Sequence, residues 1–272
     1  MEIKSVKDFR ETVAQVRAKE FHRQVFEGNH HRAVFRGQEV SSWNLIPKLL
    51  RYNQSLEDIK LIEHNLLADF RQQLVTIGCD QYFQGGFLGK QNFHSDWLFI
   101  QQAQHVGLAT RFMDWSLNAE IACFFACLGS PDNDGAFYVL YPEADWFQAD
   151  RPNDNYADID PLLFPEIVVL NPSGYYDQDS HLKFLERFKM RQAGRFLVQP
   201  ITDASMQSLT AQPFFENALE KHVIHKDAKN ALLQEFGLTT DFVYMESDAL
   251  VQKIHPAIKD VINDLHKKYN LI

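Results

Sequence analysis

QQAQHVGLATRFMDWSLNAEIACFFA, residues 101–126, decides how this chain is read. Its first half is crowded with polar chemistry: Gln104, His105, Thr110, Arg111, Asp114, Trp115 and Ser116. The part LATRFMDW reads as a strand. From Asn118 on, the residues have the composition of a buried helix, with Cys123 and Cys127 four apart on one face. A polar strand that runs straight into an apolar helix presents side chains at a mouth and anchors them from behind. Ser116 is expected to cap that helix. Its N-terminus then faces the same mouth and favours an anionic ligand there.

Upstream, HSDWLFIQQAQH reads as a helix ended by Gly107. LEDIKLIEHNLLADFRQQLVTI carries Ile59, Ile62, Leu66, Phe70 and Leu74 at helical spacing and predicts an amphipathic helix. Residues 78–92 are rich in glycine and aromatics and read as a loop. Their GGFLGK lacks the Ser or Thr and the spacing of a phosphate-cradling loop. In RAVFRGQ, Ala33 to Phe35 form a short strand ended by Arg36 and Gly37. An arginine there suits a planar anion, and the glycine lets another group approach closely. A structural salt bridge accounts for Arg36 equally well. Gln38 follows, Trp43 either packs or covers a ligand ring, and Pro47 begins a short helix. At the N-terminus, Ser5 caps a first helix with Asp8 three residues on.

Downstream, AFYVLY, residues 166–170 and residues 195–199 read as strands, with 142–155 a loop and 179–187 a short helix. Gln192 and Gly194 stand just ahead of the third of these strands, and with Arg195 they suit a ligand-contacting edge. The last helix is expected over 256–269. No internal repeat and no interdomain linker is visible, so a single domain is expected.

Composition narrows the function. The net charge of −9 argues against grip on a nucleic-acid backbone. No apolar run is long enough to span a membrane, and the charged N-terminus lacks a signal-peptide core, so a cytoplasmic protein is expected. Cys79, Cys123 and Cys127 read as buried small apolar residues. Adjacent His30 and His31 diverge on any regular element, so no metal site is expected.

Three clusters taken in order, VFRGQ with Trp43, Pro47 and Arg51, then QHVGLATRFMDWS with FFA, then RQAGRFLVQP, resemble the FRG domain family, named for its aromatic-Arg-Gly motif. The resemblance covers 35–250. It implies an N-terminal helix over 1–30, the FRG domain over 31–250, and a C-terminal helix over 251–272 packed on the same domain.

The same order of motifs is more distantly similar to NAD-using ADP-ribosyltransferases of the Arg-Ser-Glu type. That similarity implies an α+β fold with a small mixed sheet core of ADP-ribosyltransferase-like type surrounded by helices, NAD as substrate, and a protein acceptor if transfer occurs. On it, Arg36 holds the NAD phosphates or a ribose, Ser116 lies near the nicotinamide ribose, and Gln192 takes the place of the catalytic Glu. A neutral amide holds a hydroxyl but does not stabilise developing positive charge, so Asp114 is the alternative anion. The implied activity is ADP-ribosyl transfer or NAD glycohydrolysis, in a toxin or phage-conflict effector. The remaining ligand-binding candidates are Gln38, Trp43, Gln104, His105, Thr110, Arg111, Trp115 and Arg195. Two other readings stay open: a non-catalytic module that binds a nucleotide or a protein, and a hydrolase in which His105 and Asp114 work as base and orienter.

Overall fold

Alternation along VFRGQ sets the layers. Strand β2 (Val34–Gln38) turns Phe35 and Gly37 to one face of the sheet and Val34, Arg36 and Gln38 to the other. On the first face lies helix α4 (Ala119–Cys127), pressed so close that a Cβ on Gly37 would collide with the carbonyl oxygen of Ala122 and sit 2.5 Å from the Ala126 amide nitrogen. Gly135, which opens strand β4 (Gly135–Leu140), meets the Ala126 carbonyl in the same way. Ala119, Ala122, Cys123 and Ala126 fill the seam against Phe35 and Phe137. The small residues of α4 are therefore the fitted surface of a backbone-on-backbone contact, and both cysteines are buried in it or beside it.

The computed structural model describes residues 2–52, 54–80, 83, 96–143, 146–149, 166–169, 194–244 and 249–271. Within them one sheet of eight strands runs β1-β8-β4-β2-β3-β7-β6-β5. The further strands are β1 (Glu2–Ile3), β3 (Phe112–Ser116), β5 (Phe147–Ala149), β6 (Glu166–Val169), β7 (Gly194–Val198) and β8 (Leu219–Ile224). The outermost pairs, β1 with β8 and β5 with β6, are parallel, and the rest are antiparallel. The fold is α+β, around a sheet larger than the small one expected. Two-residue β1 has too little pattern to be read from sequence, and β5 falls within the expected 142–155 loop.

Helices α1 (Val6–Phe26), α4 and α5 (Lys226–Phe236) cover one half of the first face. Helices α2 (Leu56–Thr76), α3 (Asp96–His105) and α7 (Ala249–Lys268) cover the other half through Phe70, Phe99, Phe112, Phe196 and Ile262. Short α6 (Thr240–Tyr244) brings Val243 against Ile121 and Phe124. The opposite face carries no long helix among the described residues. There Leu45, Trp146, Leu209 and Phe215 pack on Met113, Trp115 and Tyr138.

The two halves of the sheet barely touch. β2 and β4 share five register pairs, and so do β3 and β7. β2 and β3 share one, Phe35 with Ser116. Beyond that pair the strands part. Residues 45–51 bind beside the opening, where Leu49 N–H donates to the Thr110 carbonyl at 3.2 Å and Leu209 N–H donates to the Leu45 carbonyl at 2.9 Å.

Several local expectations are corrected. β2 continues through Arg36 and Gly37 to Gln38, because Arg36 pairs with Tyr138 and Gly37 with Phe137 on β4. The cap of α4 is Asn118, whose side chain accepts from Glu120 N–H, and Ser116 instead accepts from Asn118 N–H at 3.0 Å. Pro47 is the residue before the turn of 3-10 helix Lys48–Arg51 and not its first member. α7 begins at Ala249 and carries Pro256 inside it. A proline removes one helical hydrogen bond, and burial of Ile258, Ile262 and Leu265 outweighs that loss. Ser5 caps α1 as expected, accepting from Asp8 N–H at 3.2 Å. The expected helix over 179–187 and most of the 78–92 loop lie outside the described residues.

Gly37→Ala should lower unfolding stability by about 3 kcal/mol or more, since helix backbone must shift to admit the methyl. Gly194→Ala, which meets nothing within 4 Å among the described residues, should be neutral or stabilise by up to about 1 kcal/mol. Urea denaturation of both variants checks the contrast.

Candidate ligand site at the split in the sheet

Arg36 stands where the sheet divides. Its guanidinium donates from Nη1 to the main-chain carbonyl of Asp114, bridging β2 to the departing strand β3. Its Nε is buried with no partner among the described residues. Burial pulls the Arg36 pKa down, Asp114 opposes this and Arg51 adds to it. Tyr138, the register partner of Arg36 on β4, is pushed up to about 12 by burial, with Arg36 acting the other way. Two more cations come from the turn beside the opening. Arg51 donates from Nε to the Ile46 carbonyl at 2.9 Å, and Lys48 donates to the Gly107 carbonyl at 3.0 Å. Burial lowers the pKa of each.

Asp114 is held by a relay. Its carboxylate accepts from Gln104 Nε2 at 3.0 Å, Gln104 Oε1 accepts from the Thr110 hydroxyl at 2.6 Å, and that hydroxyl accepts from Phe112 N–H at 3.1 Å. The relay ties the end of α3 to the start of β3, so Gln104 and Thr110 position Asp114 rather than a ligand. Arg111 is also reassigned. It is fully buried and paired in bidentate fashion with Glu63 of α2, at 3.0 and 2.8 Å from Nε. That pair pins α2 to the sheet and leaves no guanidinium surface for a ligand.

Alternation then separates residues expected together. Ser116 pairs with Phe35, so it and Asp114 extend to the helix-covered face, opposite to Arg36. Arg36 therefore meets the main chain of Asp114 and not the Ser116 hydroxyl, which is buried and occupied by the turn into α4. Trp115 lies on the Arg36 face, 3% exposed, with its indole N–H unpartnered among the described residues. Arg195 is its register partner and donates to its own neighbour, the Gly194 carbonyl, at 2.8 Å. Buried Gln38 reaches the Asn44 carbonyl at 3.4 Å, Trp43 is 52% exposed in the turn after β2, and His105 is half-buried at the end of α3. Gln192 lies outside the described residues.

Sequence reasoning missed Glu63, Tyr138, Lys48 and Arg51 as members of this region. Glu63 stands next to the apolar stripe of α2 and looks like an ordinary solvated carboxylate until Arg111 is placed. Tyr138 is identified only by strand register. Arg51 had one signal, its place at the end of the FRG-like cluster.

His266 of α7 closes the base of the region. It accepts from Ala109 N–H at 3.0 Å, and burial together with Lys48 pushes its pKa down to about 4.

Two outcomes follow. Glu63→Gln or Arg111→Met alone should cost about 3–5 kcal/mol by stranding a buried charge, and Glu63→Leu with Arg111→Met together should recover much of it. Chemical denaturation of the single and double variants measures this. Because His266 binds its proton less well folded than unfolded, its contribution is complete above about pH 6.5 and is lost as pH falls toward about 4, on the order of 3 kcal/mol in all. Unfolding curves between those pH values should lose that slope in His266→Gln.

No curated protein and no solved structure matches the chain. The FRG domain family model matches residues 31–135. The matched span starts where the domain was expected to start and ends well short of residue 250. It runs from the segment before β2 to Gly135, and so contains Phe35, Arg36 and Gly37, the Arg111–Glu63 pair, Asp114 and the whole of α4. Residues 31–135, the span that builds the split and seats α4 against it, are thus similar to the FRG domain family.

Proposed function

We propose that the domain binds a phosphate-bearing nucleotide at the split between β2 and β3, and that this nucleotide is NAD. The observation that carries the reading is Arg36, a strand cation held at the point where a continuous sheet comes apart, with Arg51 near enough to depress its pKa, in an otherwise acidic protein. Such a place offers positive charge to an anion. The distant similarity to Arg-Ser-Glu transferases supports NAD within the nucleotide class and an ADP-ribosyltransferase-like core for the sheet.

If NAD is consumed, the bond from ribose C1′ to the nicotinamide nitrogen breaks and nicotinamide leaves with the electron pair. Water or an acceptor then adds at C1′ and loses a proton. Positive charge develops on the ribose, and because the Asp114 carboxylate lies on the face opposite Arg36, it answers that charge only for a ribose that passes through the split from phosphates held on the other face. A second reading, binding without turnover, is favoured by one feature: Asp114 and Ser116 are already engaged by Gln104 and the Asn118 amide.

Calorimetry should detect NAD binding to the purified chain, weakened about tenfold or more in Arg36→Ala. Asp114→Asn should abolish nicotinamide release while leaving NAD affinity largely intact. Absence of binding at millimolar NAD overturns the proposal, and binding without nicotinamide release selects the second reading.

A further inference from the structure

Helix α1 lies outside the span that matches the FRG family and takes no part in the nucleotide reading. It buries Phe9, Thr12, Val16 and Arg23 toward its own chain. The side turned away from them is apolar as well. Phe21 is 65% exposed, Val25 54% and Phe26 72%. On a helix, Ala14, Ala18, Phe21 and Val25 fall within about 60° of one another and directly opposite Val16 and Arg23. Their alternating spacing of four and three residues is that of a coiled-coil seam, and all four are exposed. The charges beside the seam are engaged within their own chain: Arg10 with Glu235, Arg17 with Glu20 and Lys19 with Glu220. What is left uncovered is an apolar patch on the order of 350 Å², the size that marks an interaction surface.

We infer that α1 is the contact through which two copies of this chain pair, antiparallel about a two-fold axis. The order of side-chain sizes along the seam selects this partner. Small Ala14 and Ala18 stand toward the N-terminus, and large Phe21 and Val25 toward the C-terminus. In an antiparallel pair Ala14 faces Val25 of the second copy and Ala18 faces Phe21 of the second copy. Each of the four layers then joins a small side chain to a large one. A parallel pair would set Phe21 on Phe21 and leave a gap between facing alanines. The flanks agree with the antiparallel order, which brings Arg17 beside Gln24 and Gln15 beside His22, with no like charges opposed. A helix pair of this length buries about 1,000 Å² in all, the low end for a specific interface, so the dimer is a weak one, with dissociation in the micromolar range.

The test is sedimentation equilibrium of the full chain from about 1 to about 300 µM, where the mean mass should climb from one chain toward two. Phe21→Glu puts a charge into the seam and should weaken self-association about tenfold or more. Because Phe21 is exposed in the single chain, that variant should unfold as the parent does. Disulfide cross-linking with diamide reads the direction of the pair. The double variant Ala14→Cys with Val25→Cys should cross-link between copies. Neither single variant should, since in the antiparallel pair each of these positions stands about 16 Å along the axis from its own counterpart. The native cysteines are buried and add little background. A mass of one chain at every concentration, or Phe21→Glu that associates as the parent does, overturns the pairing and leaves the stripe to a different partner. Single variants that cross-link as readily as the double one overturn the antiparallel arrangement.

Discussion

The structure depends on the close approach of α4 to β2 and β4. Helix and sheet usually stand about 10 Å apart because side chains separate them. Here Gly37 and Gly135 remove the side chains on the strand side, and Ala122 and Ala126 reduce them on the helix side. The glycine of the Phe-Arg-Gly motif was expected to let another group approach closely. The group it admits is the α4 backbone. Since side chains alternate along a strand, seating Gly37 under α4 forces Arg36 to the opposite face. The arginine is therefore presented by the same contact that builds the core.

That contact also accounts for the split. β2 belongs to the half of the sheet anchored by α1, α4 and α5, whereas β3 packs under α2, α3 and α7. The chain crosses from one half to the other at Ser116, directly before α4, and there the strands share their single pair. Past it, each strand follows its own helices. Backbone groups left open by the separation are taken up by the 45–51 segment and by Arg36, which bonds the Asp114 carbonyl. Buried charge is handled differently on the two sides of this region. Arg111 and Glu63 neutralise each other out of water, His266 stays neutral, and Arg36 makes no ion pair among the described residues.

By itself, the sequence determined most of the elements and the family resemblance. Ser5 capping α1, the apolar stripe of α2, the polar-to-apolar change across Trp115 and Asn118, and the strands around 135–140 and 194–198 were all legible, because caps and periodicity are local. So was the FRG resemblance, carried by short ordered motifs. Tertiary structure decided which face each polar residue serves. Arg111 looks like a ligand-binding arginine until Glu63 arrives from 48 positions away, and Thr110 and Gln104 look like site residues until they are seen to hold Asp114. Ser116 and Arg36 look convergent until register puts them on opposite faces. The physical reason is common to all of them. Charge, burial and hydrogen-bond satisfaction are properties of neighbours, and in a sheet whose strand order departs from chain order the neighbours are distant in sequence.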